Sequence, residues 1–352
     1  MHLHRTDPED LVGLLSLDDV DRLLTESAIR APAVRIAQDG QVLASSRFTR
    51  SATLAGEPLT GLVDARKVLA LFDGGATVVL QGLHRYWPPL TALVADLEVE
   101  LGHPCQANAY LTPPGAQGFA VHSDSHDVFV FQTHGTKLWE VHGADGPEEV
   151  LLEPGLSLYL PTGTPHAARA QDGPSLHVTL GINQLTWRGL VRRTVARLVD
   201  EVPDEHLPAG YVEDPGVLVD DLAGRLAALA DAVRDLDPRR AVDAERERFL
   251  TTRPTRQRGG LADVLAVHDL DDGTLLRRRV GRPCVLVDAG DRLRVLLGDR
   301  VLDVPARLRP ALEEVRARTE LRPVDLDGVL DASSRLVLCR RLVREGLLEV
   351  GS

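Results

Sequence analysis

The chain has 352 residues, 43% of them hydrophobic, and carries 40 Lys and Arg against 52 Asp and Glu, a formal net charge of −12. That length supports two or three domains with at least one full core, and the acidic balance argues against nucleic acid as a primary ligand. No apolar run approaches the length of a membrane span, and the charged opening "MHLHRTDPEDLVGLL" lacks the apolar segment of a signal peptide, so a cytoplasmic protein is expected. Cys105, Cys284 and Cys339 are far apart and form no CxxC pair, which fits a reducing compartment without a disulfide framework or zinc site. Among the basic residues only Lys67 and Lys137 are lysines. The Arg-, Ala-, Leu-, Val- and Gly-rich remainder reads as the product of a GC-rich, bacterial genome.

In chain order, "TDPEDLVGLL" predicts a helix with Thr6 as N-cap and Pro8 in its first turn. Ala76–Leu80 reads as a buried strand, and "PLTALVADLEVELG" as an amphipathic helix ending at Gly102. From 105 to 185 short β-rich segments alternate with Gly, Pro and Asp turns, the pattern of a sandwich or barrel. Beyond Trp187 the chain turns helical. "LVDDLAGRLAALADAVRDLD" places Leu218, Leu222, Leu226, Leu229, Val233 and Leu236 on one narrow stripe, which suits equally a helix packed on its own domain or a dimerisation seam. The Arg- and Gly-rich "TTRPTRQRGG" reads as a linker or basic loop. Short strands, helices and a last helix starting at Ser333 or Ser334 and stopping at Gly346 then follow the order of a winged helix-turn-helix. Such a module either contacts nucleic acid or the ribosome, or is kept for structure and protein contact; the surrounding acidic charge favours the latter.

The polar groups inside "GFAVHSDSHDVFVFQTHGTKLWEVH" demand partners, because imidazole and carboxylate are costly to bury alone. If the segment is an alternating strand, His122 and Asp124 face one way and converge. His166, just after the turn in "LSLYLPTGTPHAARA", supplies a third group. Two His and one Asp make the facial set that leaves open positions on Fe(II). The HxD spacing alone arises by chance; Lys137, at a strand start, adds weight, since a buried ammonium needs an anion and a dicarboxylate cosubstrate would supply it. Of the remaining groups, His126 could line the substrate mouth, His134 sits at an exposed turn, and His177 is a core histidine rather than a ligand. Trp139 reads as core, His142 has no assigned role, and Asp127 either hydrogen-bonds near the site or caps a turn.

The segments "NAYLTPPGAQGFAVHSDSHDVFVFQTHGTKLWEVH", "LEPGLSLYLPTGTPHAARA" and "SLHVTLGINQLTW" closely resemble the Jumonji-C ribosomal oxygenases of the cupin superfamily, which hydroxylate Arg or His side chains of ribosomal proteins. The resemblance implies an α+β chain. Residues 1–188 would form a Jumonji-C/cupin double-stranded β-helix barrel, 189–248 a helical dimerisation domain and 249–352 a winged helix. It implies Fe(II) on His122, Asp124 and His166, 2-oxoglutarate held by Lys137 with Asn108, Tyr110 and Thr112 on one strand face beside it, and O2 as the oxidant. It further implies a protein or peptide substrate, possibly ribosomal in the family's manner, and a homodimer. One departure stands out: animal members carry Ser where this chain has Gly181, so a cosubstrate hydrogen bond is missing or water-mediated. Two other readings compete. One is hydroxylation of a small molecule or biosynthetic peptide in a natural-product pathway. The other is a non-enzymatic metal-binding DNA regulator. Hydroxylation against demethylation is left open.

Overall fold

The computed structural model describes residues 2–117, 119–144 and 146–351, and the chain forms two compact units, Met1–Gln184 and Leu185–Ser352. The first unit opens with β1 (His2–Arg5), α1 (Pro8–Val12) and α2 (Leu17–Thr25), then β2 (Val34–Gln38), β3 (Gln41–Val42) and a hairpin of β4 (Thr49–Leu54) and β5 (Glu57–Val63). Helix α3 (Ala65–Asp73), β6 (Thr77–Leu80) and α4 (Pro88–Leu101) lead into the strands that dominate the unit. These are β7 (Cys105–Thr112), β8 (Asp127–His134), β9 (Lys137–Gly143), β10 (Gly146–Leu152), β11 (Leu156–Leu160), β12 (His166–Ala170) and β13 (Ser175–Ile182).

Eight strands form one sheet in the order β1-β11-β8-β13-β7-β6-β2-β3, and β10-β9-β12 form a second. Val128, Val130, Leu158 and Leu160 of the large sheet pack with Trp139, Val141, Val150 and Leu152 of the small one, so the sheets close face to face as a barrel of the double-stranded β-helix type. Period-two alternation on β13 sets what lies on each side. Leu176, Val178, Leu180 and Ile182 enter the main core with Val20 and Leu24 of α2, Val68 of α3 and Leu90 and Val94 of α4. His177 and Thr179 point the other way, into the barrel. A strand buried on both faces carries polar side chains on one of them, and these form the wall of the site.

Local signals moved some boundaries. The cap of α1 is Asp7, whose carboxylate accepts the Glu9 N–H, rather than Thr6. Gly102, at φ 68, ends α4 in the left-handed conformation open to glycine. His122 and Asp124 do not lie on an alternating strand: β8 starts only at Asp127, and His122 makes a single antiparallel bridge to His166. The short polar residues of "HSDSHD" favour local turns over a ladder.

The second unit begins with α5 (Trp187–Asp200), α6 (Val219–Asp235) and α7 (Pro238–Phe249), then α8 (Gly260–Ala266) and β14 (Leu276–Arg278). After these come β15 (Val285–Ala289), β16 (Arg292–Leu296), β17 (Val301–Pro305), α9 (Arg309–Ala317), β18 (Glu320–Leu321), α10 (Ala332–Arg344) and β19 (Leu348–Val350). Strands order as β18-β14-β19 and β15-β16-β17 around a core that includes Leu293, Leu312, Leu326, Leu338 and Leu342. The cap of α10 is Asp331, which accepts the Ser334 N–H at 2.8 Å, two or three residues before the expected Ser.

Because Leu180 is fully enclosed in the main core, Leu180→Ala is expected to cost about 2–5 kcal/mol through lost transfer energy and a cavity. Denaturant unfolding would register it as a lower midpoint with an unchanged slope.

Candidate functional site

The bridge between His122 and His166 is made by two backbone hydrogen bonds, His122 N–H to His166 O at 3.0 Å and His166 N–H to His122 O at 2.8 Å. It sets the two imidazoles side by side, with ring centroids 4.5 Å apart. The turn before β12 is held as well. Gly163 N–H donates to Asp124 O at 2.9 Å, and Asp127 accepts from the Thr162 N–H and hydroxyl and from the Tyr159 hydroxyl. Asp127 therefore anchors the turn that delivers His166.

One ligand atom from each of His122, Asp124 and His166 lies within 4.8 Å of the others. The His122 Nδ1 is 3.0 Å from the carbonyl of Ala120, and the His166 Nδ1 is 2.9 Å from that of Thr164. A carbonyl only accepts, so both rings carry their proton on Nδ1 and leave Nε2 as a bare lone pair. Burial further lowers the pKa of His166 and keeps it neutral. Two lone-pair nitrogens and a carboxylate at one point are the donor set of a divalent transition metal, with the backbone carbonyls fixing ring orientation.

Inward from this cluster lies a cavity of about 270 Å³ lined by residues from both sheets, Lys137, Tyr110, Trp139 and His177 among them. Lys137, the first residue of β9, is 3% exposed. Its Nζ donates to the Thr112 hydroxyl at 2.9 Å, which lies 3.2 Å from the Thr77 hydroxyl, and among the described residues it meets no carboxylate. Burial lowers its pKa to about 7. Gly135, at φ 61, has no room for a side chain against the Pro174 carbonyl and so fixes the corner that aims Lys137 inward. His177 stacks on Tyr110 with centroids 4.9 Å apart and meets Trp139 edge-on at 5.4 Å. Burial, with Lys137 and His166 nearby, holds its pKa well below the usual imidazole value, so the ring is neutral, and it stands outside the His122–Asp124–His166 cluster as part of the cavity wall.

Of the residues expected beside the cosubstrate, Tyr110 lines the cavity and Thr112 bonds Lys137 from just behind it. Asn108 is not among the lining residues; its Oδ1 accepts the Gly82 N–H at 3.0 Å and ties β7 to the turn after β6. His134 is exposed, and His142 lies 2.7 Å from the Glu140 carboxylate, away from the cavity. Several lining residues were not anticipated, Arg35 and Phe119 the most consequential of them. Arg35 lies on β2, next to the edge strand of the large sheet, and Phe119 packs on His122 with centroids 5.9 Å apart. Alternation in "VRIAQ", with Val34 and Ile36 in the core, was the available signal for Arg35.

Residues 91–190 match the JmjC domain model. Ribosomal oxygenase 1 of Homo sapiens is 29% identical over 296 residues, covering 76% of this chain and 42% of that protein. The bifunctional lysine-specific demethylase and histidyl-hydroxylase NO66 of Branchiostoma floridae is 32% identical over 60% of this chain and 34% of its own. Over these stretches the chain is similar to JmjC ribosomal oxygenases. It spans less than half the length of the curated relatives it matches. In fold it resembles the Escherichia coli ribosomal oxygenase YcfD, with a TM-score of 0.56 at 19% identity over 99% of this chain and 94% of that one. A second structure of YcfD, in complex with cobalt and 2-oxoglutarate, superposes with a TM-score of 0.53 at 17% identity, over 100% of this chain and 94% of that one.

The glycine at 181 has a local explanation. A Cβ there would lie 2.5 Å from Nε2 and 2.6 Å from Cδ2 of His126. The imidazole occupies the space a side chain would need, so glycine at 181 and histidine at 126 form a pair. Gly181→Ala is expected to displace the ring and destabilise the fold, and His126→Ala is expected to relieve that cost. A double-mutant unfolding cycle should return a coupling of about 1 kcal/mol, within the range for residues in contact.

Proposed function

We propose that the protein is an Fe(II)- and 2-oxoglutarate-dependent oxygenase that hydroxylates an Arg or His side chain of a protein substrate, with ribosomal proteins the class to which its relatives' names point. The observation that carries this is the pairing of a metal-competent His122–Asp124–His166 cluster with a buried ammonium that faces no carboxylate among the described residues. The Nδ1–carbonyl contacts, which free both Nε2 atoms, make the donor set fit a ferrous ion. The Lys137 ammonium, backed by Thr112, fits the far carboxylate of a small diacid. When bound, iron with O2 and 2-oxoglutarate supplies the oxidising power for hydroxylation, with release of succinate and CO2. The chain's own part is to hold the diacid at Lys137, to wall the cavity from water with Trp139, Tyr110 and His177, and to present the substrate C–H bond at the mouth. Asn108 acts at one remove, by fixing the Gly82 turn.

For the second unit we propose a helical dimerisation segment over 189–248 and a winged helix over 249–352. Supporting the first, α5 and α6 bury no residue fully and present Trp187, Val191, Leu222, Leu226 and Val233 to solvent, apolar area that a second copy would cover. Supporting a protein-contact role for the second, the arginines of α10 are largely engaged: Arg335 with Asp272 and Asp327, Arg341 with Glu345, Arg340 with the Leu270 carbonyl. Few remain for phosphates. Cys105, Cys284 and Cys339 are all buried and lie far apart in the sequence, which supports a reducing, cytoplasmic setting. No described helix is long and apolar enough to cross a membrane.

The test is anaerobic binding of Fe(II) and 2-oxoglutarate, followed by mass spectrometry of ribosomal proteins incubated with the protein in air. A gain of one oxygen atom with matching succinate release is expected; absence of both would refute the proposal. Lys137→Ala should weaken 2-oxoglutarate about ten- to a hundredfold, the worth of one charge-assisted contact, read by calorimetry. The free ammonium loses its proton near pH 7, and a bound carboxylate favours the protonated form. Affinity should therefore be flat well below pH 7 and fall above it by up to about tenfold per pH unit. Proton uptake on binding, measured in buffers of different ionisation enthalpy, should appear in the same window.

A further inference from the structure

Arg35 is the cation in the cavity that the proposed chemistry does not use. It lies on β2 in register with Val79 of β6, which pairs with Tyr110 of β7, which pairs with His177 of β13. Arg35, Tyr110 and His177 thus share one row of the barrel wall, and all three line the cavity. The guanidinium carbon stands 5.6 Å from the centre of the Phe119 ring, which leads on to His122. Its Nε is buried without a hydrogen-bond partner, and among the described residues it makes no ion pair. A guanidinium does not deprotonate in a protein, so this charge is permanent. Asp124 supplies the one carboxylate among the lining residues.

Resting on the oxygenase reading, the charges at the site settle what can enter. A divalent cation and Lys137 together offset Asp124 and the two carboxylates of the cosubstrate. The charge of Arg35 is left over, with donors free. From this we infer that the cavity takes an uncharged, hydrogen-bond-accepting side chain, imidazole in preference to guanidinium, and that Arg35 is the residue that selects it. An incoming guanidinium would bring a second permanent cation, and no donor on Arg35 could serve it. A neutral imidazole offers a bare ring nitrogen to an N–H of Arg35. The cation–π contact with Phe119 occupies the face of the guanidinium and leaves its edge for that bond.

The test uses the full chain with Fe(II), 2-oxoglutarate and a bacterial ribosomal-protein fraction, read by residue-resolved mass spectrometry. Wild type should place oxygen on His and not on Arg. Arg35→Met, which keeps a long side chain over Phe119 but loses the charge, should slow the His modification about tenfold or more and admit Arg. Arg35→Lys, which keeps the charge, should still exclude Arg, and it guards against misreading a folding defect. The penalty in Arg35→Met should fall on the KM for the protein substrate more heavily than on that for 2-oxoglutarate. Oxygen on Arg in the wild type would overturn the inference, as would an unaltered His rate in Arg35→Met or a defect confined to the 2-oxoglutarate KM. A wild-type chain that neither consumes 2-oxoglutarate nor oxidises any residue would sink the oxygenase reading itself, a result distinct from these.

Discussion

The site depends on one pair of backbone hydrogen bonds, those exchanged by His122 and His166. The segment that carries His122 and Asp124 belongs to no strand, and the bridge is what sets His122 directly beside β12, with the Gly163–Asp124 hydrogen bond holding the same segment to the turn before it. With the bridge, two residues more than forty positions apart become direct neighbours, and the turn closed by Gly163, Thr162 and Asp127 brings Asp124 to the same point. Backbone pairing is a robust way to hold a metal-competent cluster, because it is insensitive to the side chains around it and leaves the imidazoles free to be oriented by their own carbonyl partners.

The barrel interior is unusually polar for an enclosed space. Thr77, Thr112, Gln132, Lys137, Ser175 and His177 are all buried. Most of these groups satisfy one another: the Thr112 hydroxyl accepts a hydrogen bond from Lys137, and Gln132 bonds the Ser175 hydroxyl at 2.9 Å. What is left over is informative. The Nδ1 of His177, the Nε1 of Trp139 and the Nε of Arg35 are buried without partners, and all three residues line the cavity. Buried polar atoms without partners are costly, and their gathering in one space marks where a polar ligand belongs.

Much of this was legible beforehand. The strand-rich run from 105 to 185 and the helix ending at Gly102 follow from alternation and capping, and the ligand-type residues stood out because imidazole and carboxylate are out of place in an apolar pattern. Asn108, Tyr110 and Thr112 alternate along β7, yet period two cannot say which neighbour each would find. Asn108 instead accepts the backbone N–H of Gly82, a residue in the left-handed conformation. Arg35 was missed for a related reason: a charged residue alternating with Val and Ile reads as a solvent-facing position until a second sheet is known to cover that face. Helix α7, "PRRAVDAERERF", escaped because its many charges blur the apolar stripe, although Asp237 and Pro238 form a proper start.

The scarcity of lysine has a practical consequence. Lys67 is exposed and donates to the Thr49 carbonyl, while Lys137 is enclosed and titrates near neutrality. An uncharged amine at that depth is a nucleophile, and a diacid seated against it would shield it. Acylation of Lys137 by a small reagent, followed by peptide mass spectrometry with Lys67 as the exposed reference, would then report occupancy of the cavity directly, with no substrate in hand.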